Sequence, residues 1–250
     1  MQQTLEQLKE MKLHGFVEAW REQQAQPTYN DLSFAERLAL LVEREYLRRH
    51  QQRQSRRLKQ AKLFVGASMA EVDFHTPRGL KKPQLLEWAQ GQWLEQHLNL
   101  ILVGPTGTGK TFLSCVLADQ LCKQGYKARY FKTAELVSDL KLAKADGSFP
   151  KLRKRLASFD LVILDEWLRD PLATAEAREI LDFLDDRYRR CSCLFATQFP
   201  VNQWHQQIQE PTLADAILDR IVHDSLRLAL KGESMRKLTS KLNGSTADAA

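Results

Sequence analysis

Two stretches of this sequence place reactive residue types at spacings that can do chemistry. The first is Gly104-Pro105-Thr106-Gly107-Thr108-Gly109-Lys110-Thr111, a full G-x-x-x-x-G-K-[ST] match, followed by Phe112. A triphosphate needs many donors and close approach of the backbone. The glycines let the chain wrap the phosphates with its N–H groups, Lys110 brings a charge to the β- and γ-phosphates, and the Thr111 hydroxyl is a Mg²⁺ ligand. The second is Phe159-Asp160-Leu161-Val162-Ile163-Leu164-Asp165-Glu166, an apolar run that ends in two acids. At such a tip Asp165 can hold Mg²⁺ opposite the loop through water, and Glu166 can polarise an attacking water. Alone, the first motif could be a chance glycine-rich turn and the second a pair of solvated acids. Together they point to ATP and Mg²⁺ as cofactors, with a nucleotide-binding set running from Gly104 through Phe112 and hydrolysis to ADP and phosphate as the reaction.

These residues need a scaffold, and the hydrophobic pattern supplies one. Leu100–Val103 is a continuous apolar run, as expected of a strand buried on both faces, and Phe112, Leu113, Val116 and Leu117 mark a helix after the loop. Further strands are expected at Ala128–Phe131, Leu161–Leu164, Cys193–Ala196 and Leu226–Leu230, most of them separated by helices. That alternation implies an α/β fold, a parallel sheet flanked by helices. Residues 1–70 read as helix throughout. Thr4–Gln7 and Ser33–Glu36 fit capping boxes, ahead of the periodic sets Leu13, Phe16, Val17, Trp20 and Phe34, Leu38, Leu41, Val42. Pro77 and Gly79 break the pattern, and a short helix with Leu86, Ala89 and Trp93 on one face comes next. The expected organisation is a small all-helical N-terminal domain over 1–75, a nucleotide-binding domain over 76–240 and a disordered tail over 241–250.

The charge is uneven. The chain carries a formal net charge of +6 over 250 residues, which suits a polyanionic partner. From Arg44 to Lys62 the only acid is Glu45, and Arg49, Arg53, Arg56 and Arg57 fall at i, i+4, i+7 and i+8 on one helix face. Such a stripe can track the backbone of double-stranded DNA without reading its sequence; the plain alternative is a solvated helix face. Leu58, Ala61 and Val65 form a separate apolar edge. A second cluster, Lys151, Arg153, Lys154 and Arg155, offers the same two readings. The four cysteines lie in no metal-binding pattern and read as small hydrophobes in a reducing cytoplasm. No apolar run approaches the ~20 residues that span a bilayer, and the N-terminus has no secretory h-region, so no membrane role is expected.

The runs "LVILDEW", "ATQFPVNQW" and "LADAILDRIVHDSLRLALKGESMR", together with the N-terminal "LKEMKLHGFVEAW", resemble the IstB-type transposition helper ATPases of bacterial insertion sequences. The resemblance covers almost the whole chain. It implies an AAA+ fold in the clade of DnaC and DnaA, ATP-dependent homo-oligomerisation on DNA, and a transposase as client. By the same resemblance, Arg220 in Asp219-Arg220 is the arginine finger that completes a neighbour's site, and Arg236 in Gly232-Glu233-Ser234-Met235-Arg236 is the sensor 2 arginine. Gln198 takes the sensor 1 position, where the family typically has Asn. Leu168 stands where the family often has Gly. The alternative within this fold is a replicative helicase loader. A small-molecule kinase would need an acceptor lid that the sequence does not show. An ATP-binding scaffold without turnover would not need Lys110, Asp165 and Glu166 together.

Overall fold

The structure is a computed structural model and describes residues 2–238; the tail expected over 241–250 lies outside the described residues. The chain forms two compact units, Met1–Arg56 and Arg57–Ala250. The division falls inside a helix, whereas the sequence pattern suggested a boundary near residue 75.

The first unit holds helices α1 (Gln2–Glu10) and α2 (His14–Ala25) and most of α3 (Phe34–Ala61). The Ser33–Glu36 capping box forms as the sequence suggests, with the Ser33 backbone N–H donating to the Glu36 carboxylate and the Glu36 N–H donating to the Ser33 hydroxyl. Thr4, by contrast, lies inside α1, which begins earlier. Glu45 on α3 reaches the start of α2, where its Oε2 accepts the N–H groups of Gly15 at 2.7 Å and Phe16 at 3.2 Å. A carboxylate there satisfies orphan helix donors and faces the positive end of the dipole. A Cβ on Gly15 would come within 3.0 Å of the Arg44 carbonyl oxygen, so the two helices cross closely at a residue without a side chain. Of the periodic set on α3 only Leu41 is buried; Phe34, Leu38 and Val42 face solvent. The contact with α2 uses the Leu41 and Glu45 side of α3, which turns the other stripe outward.

The second unit is built on five parallel strands, β1 (Asn99–Val103), β2 (Ala128–Lys132), β3 (Leu161–Asp165), β4 (Ser192–Thr197) and β5 (Ser225–Ala229). Their order in the sheet is β2-β3-β4-β1-β5. Before the sheet come α4 (Lys82–Ala89) and α5 (Gln92–Glu95). Between the strands run α6 (Lys110–Gln124), α7 (Thr133–Ala145), α8 (Phe149–Ala157), α9 (Thr174–Arg187) and α10 (Pro211–Val222), and α11 (Met235–Leu238) follows β5. One core cluster packs α4, α5 and α6 on one sheet face; the other packs α7, α9 and α10 on the opposite face. Alternation along the strands feeds both: Leu100 and Leu102 enter the first, Ile101 the second. The α4 region differs from expectation in its buried face, which is Leu85, Trp88 and Ala89, with Leu86 exposed. The left-handed Gly91 ends α4 and re-aims Trp93 into the core.

The end of α3 belongs to this second unit. Ala61 is fully buried, and Leu58 and Val65 pack against the first cluster, so the apolar edge read from the sequence is a seam with the core. At the head of β1 the side chain of Asn99 spans two elements. Its Oδ1 accepts the Cys193 N–H at 2.9 Å, and its Nδ2 donates to the carbonyl of Arg220 at 3.4 Å. Among the described residues, no helix is long and apolar enough to cross a membrane.

Candidate functional site

The loop after β1 and the tips of β3 and β4 converge at the carboxyl ends of the strands, where parallel α/β sheets bind ligands. β4 lies between β1 and β3, so its tip stands between the phosphate loop and the two acids. A cavity of about 720 Å³ opens there, within the range that holds drug-sized ligands. Thr106, Gly107, Gly109, Lys110, Thr111 and Phe112 line it, with Asp165, Glu166, Thr197 and Gln198 opposite. Gly104, Pro105 and Thr108 form the back of the loop, where the Thr108 hydroxyl donates to the Pro105 carbonyl at 2.9 Å.

Two glycines in the loop have no tolerated substitute. Gly107 and Gly109 have φ values of +86° and +94°, which a Cβ disfavours. A Cβ on Gly107 would overlap Ser234, and one on Gly109 would sit 2.6 Å from the Arg78 guanidinium. Helix α6 begins at Lys110, so its N-terminal dipole points into the cavity. The Lys110 ammonium is held by the Gly104 and Pro105 carbonyls at 2.6 and 2.8 Å. Burial pushes its pKa below the usual lysine value, partly opposed by the charge of Asp165.

Asp165 is buried and densely bonded. Its Oδ2 accepts the hydroxyl protons of Thr111 and Tyr130, each at 2.7 Å, and its Oδ1 accepts the Glu166 N–H at 2.9 Å. With its proton committed to Asp165, the Thr111 oxygen has lone pairs to offer a cation. Among the described residues, no cluster of His, Cys, Asp or Glu could hold a metal by itself. A divalent ion here would therefore need phosphate oxygens as well, which is the donor set Mg²⁺ takes with a nucleotide.

Glu166 has a φ of +56°, a left-handed conformation that strains a residue with a Cβ. Its carboxylate accepts from Arg169 at 2.5 Å and lies 3.7 Å from the Lys132 ammonium. Leu168 has the same φ of +56°, a conformation that glycine would adopt without strain. The segment is stitched to β4 by Trp167 N–H to the Ala196 carbonyl at 2.9 Å and by the Thr197 hydroxyl to the Trp167 carbonyl at 2.8 Å. The Thr106 hydroxyl donates to Gln198 Oε1 at 3.2 Å, so Gln198 reaches the phosphate loop.

The other sequence-selected residues lie elsewhere. Arg220 closes α10 and does not line this cavity; Asp185 at 2.9 Å and Asp219 at 2.6 Å hold its guanidinium, and the first of these bonds leads in raising its pKa. The Met235 N–H donates to the Gly107 carbonyl at 2.9 Å, which sets the backbone of α11 beside the loop; the side chain of Arg236 lies outside the described residues. The basic stripe divides. Arg53 and Arg56 are exposed and make no ion pair among the described residues, while Arg49 pairs with Glu45 at 2.6 Å. Arg57 donates to the Cys122 carbonyl at 2.8 Å and is half-buried. It holds its own unit together by adding a second donor to a last-turn carbonyl of α6 that also accepts the Gly125 N–H at 3.3 Å. Arg153 is paired with Asp186, and Lys151 is exposed.

The sequence reading missed several residues around the cavity. Tyr130, Lys132 and Arg169 touch the two acids, and Arg78, which is 3% exposed, donates to the Thr108 carbonyl at 2.9 Å beneath the loop. A buried arginine in a Pro-Arg-Gly turn is a recognisable signal; a tyrosine or lysine on a strand is not.

The sequence profile of the IstB-like ATP binding protein family matches residues 6–243. The insertion sequence ATP-binding protein y4pL of Sinorhizobium fredii is 38% identical, over 94% of this chain and 96% of its own. The IS1162 ATP-binding protein of Pseudomonas fluorescens is 40% identical, over 80% of this chain and 87% of its own. Among solved structures, DnaI has the same fold, with a TM-score of 0.58 and 19% identity over 67% of this chain and 95% of that one. A phosphate loop, an acidic strand tip and a match along nearly the whole length lead to one conclusion: the chain belongs to the IstB-like ATP binding protein family of insertion sequences and is an ATPase of the AAA+ fold.

Proposed function

We propose that this ATPase binds duplex DNA without sequence preference, assembles on it in an ATP-dependent way, and delivers it to the transposase of its insertion sequence. The observation that carries this reading is a phosphate-loop cavity with both carboxylates at its wall, in a chain similar to insertion sequence ATP-binding proteins along nearly its full length.

This reading gives each site residue a role. The N–H groups of the loop and the α6 terminus bind the triphosphate, and Lys110 leaves its carbonyl partners for the β- and γ-phosphates. Thr111 and Asp165 hold Mg²⁺, which when bound supplies charge neutralisation on the phosphates. Glu166 orients and deprotonates the attacking water, and Gln198 senses the γ-phosphate from the neighbouring strand tip. Arg220 serves an adjacent subunit; its position off its own cavity supports that role. Arg236 acts from α11 beside the loop. Arg53 and Arg56, with Arg49, meet DNA phosphates. Each subunit meets few phosphates, so assembly would supply affinity through effective concentration.

The test is anisotropy with two unrelated duplexes in ATP and in ADP, followed by capture with the transposase of the same insertion sequence. Tight binding of both duplexes in ATP alone, with transposase retained, supports the reading. Equal affinity in ATP and ADP would refute the assembly step. Retention of a replicative helicase in place of transposase would transfer the chain to the loader role.

A further inference from the structure

Phe64 lies three residues beyond the end of α3, in a segment without regular structure. It is 55% exposed although it lines the nucleotide cavity. A phenylalanine so exposed contributes little to the core, and its contacts are specific. Its ring stacks on Tyr130, with centroids 5.9 Å apart and planes 24° from parallel. The Lys132 ammonium lies 5.1 Å from the centre of the same ring. Tyr130 and Lys132 are two apart on β2, so they share a face and one ring covers both. Phe131, between them, enters the opposite core. Each covered residue holds one acid: the Tyr130 hydroxyl donates to Asp165 Oδ2 at 2.7 Å, and Lys132 lies 3.7 Å from Glu166 Oε1.

We propose that Phe64 and Tyr130 are positioning residues that set the Mg²⁺-linked affinity for nucleotide, by fixing the orientation of the Asp165 carboxylate. This rests on the reading of Asp165 and Thr111 as the Mg²⁺ site. Asp165 has donors on both oxygens, and Oδ2 is shared by Thr111 and Tyr130. Removing the Tyr130 hydroxyl leaves Thr111 as the only side chain, among the described residues, that donates to Oδ2, and Thr111 must itself turn toward the metal. Partners of this kind around a metal ligand are worth about 10–100-fold in metal affinity. Phe64 acts one step further out: its ring fixes Tyr130 from the open side of the cavity. The segment that follows α3 thus reaches the metal site without touching the metal.

The measurement is calorimetric binding of a non-hydrolysable ATP analogue to the full chain, once in excess Mg²⁺ and once in EDTA, with the half-saturating Mg²⁺ concentration as a second readout. Tyr130→Phe keeps the buried ring, and Phe64→Ala removes a largely exposed one, so both chains retain the fold; thermal unfolding checks this. Each variant should lose about tenfold in affinity in Mg²⁺ and change less than twofold in EDTA, with half-saturating Mg²⁺ raised to match. The double variant should lose no more than the larger single loss, because both act through one carboxylate. Phe64→Tyr, which keeps the stack, should bind as the parent does. Equal losses in Mg²⁺ and EDTA would make Phe64 a contact of the nucleotide base and overturn the proposal, as would additive losses or none. A parent chain whose analogue affinity ignores Mg²⁺ would remove the metal reading along with this one; variants that fail while the parent depends on Mg²⁺ remove this one alone.

Discussion

Replacing Glu166 by Gln separates binding from hydrolysis, and the structure sets the size of both effects. The Glu166 side chain is 33% exposed and meets two cations, Arg169 at 2.5 Å and Lys132 at 3.7 Å. Ion pairs at such exposure are worth about 0.2–1 kcal/mol each. Loss of the charge therefore costs at most about 2 kcal/mol of stability, and less if the Gln carbonyl still accepts from Arg169. For a domain of this size that is a fall in Tm of roughly 4–8 °C at most. The catalytic effect is larger. A general base contributes about 10²–10⁴ in rate, equivalent to ~3–5.5 kcal/mol of barrier. Asp165, Thr111 and Lys110 are untouched, so nucleotide affinity in Mg²⁺ should stay within about threefold of the parent, roughly 0.6 kcal/mol. The assay is phosphate release at saturating ATP, with calorimetric affinity and Tm measured on the same preparation. A folded Glu166→Gln chain that turns over at the parent rate would show that Glu166 is not the base. A variant that loses nucleotide affinity in proportion to rate would show that Glu166 binds nucleotide.

Arg220→Ala should leave nucleotide binding by one subunit intact and abolish turnover in assemblies, since arginine fingers are worth ~10³–10⁵ in rate. Mixing it with Glu166→Gln should restore part of the activity as complete composite sites re-form; a mixture with no gain refutes donation between subunits. Reversing Arg53 and Arg56 to Glu should weaken binding to every duplex alike and flatten the salt dependence by about 0.9 in slope for each phosphate no longer neutralised; unchanged affinity would remove this helix from the interface. Arg57→Glu should instead lower stability, because it removes the guanidinium donor and sets a carboxylate beside the Cys122 carbonyl, and thermal unfolding will show it. Glu45→Gln should destabilise the first unit by about 1–2 kcal/mol, through removal of the charge at the α2 terminus. Burial opposes ionisation of Glu45, but Arg49 and the two backbone donors outweigh it and hold its pKa below the ordinary value of 4.5. The stabilisation is then complete above that value and disappears as pH falls through the folded-state pKa, so parent and variant should converge in Tm in acid. A gap in Tm that persists after Glu45 has been protonated in the folded chain would contradict this account.

The inner strands β1, β3 and β4 were legible because both-face burial leaves continuous apolar runs, and the phosphate loop was legible because its glycines fall at the fixed spacing of a phosphate-binding turn. Strand order was not. The insertion of β4 between β1 and β3, which brings Gln198 to the loop, is a fact of pairing between segments some 90 residues apart. Two partners of the acids, Tyr130 and Lys132, were hidden for the same reason. Lys132 stands opposite Asp165 only in the register of β2 on β3, and in sequence it is one more lysine at the end of a strand. The basic stripe shows the opposite failure. Its helical spacing is real, yet Arg49 pairs with Glu45 one turn earlier on the same helix, and Arg57 finds a carbonyl at the end of α6, which nothing in a one-dimensional charge run reveals. On α3 the Phe34, Leu38 and Val42 periodicity is equally real but faces water, since periodicity names a stripe and not what lies against it.

The Asn99 bridge makes β1 a measuring rod. One end of this strand runs into the phosphate loop; at the other, the Asn99 amide grips the backbone of Arg220. Five residues at ~3.3 Å each put roughly 17 Å between the two. With Arg220 serving a neighbour, each subunit would carry its own ATP at one end of a rigid strand and its contribution to the next ATP at the other. The step from site to site along an assembly would then be set in part by strand geometry. A helix-borne arginine without the bridge could drift with its helix. Tied to a central strand, it would give every ATP in a chain of subunits the same spacing, which is what a repeating assembly needs to match a helical polymer.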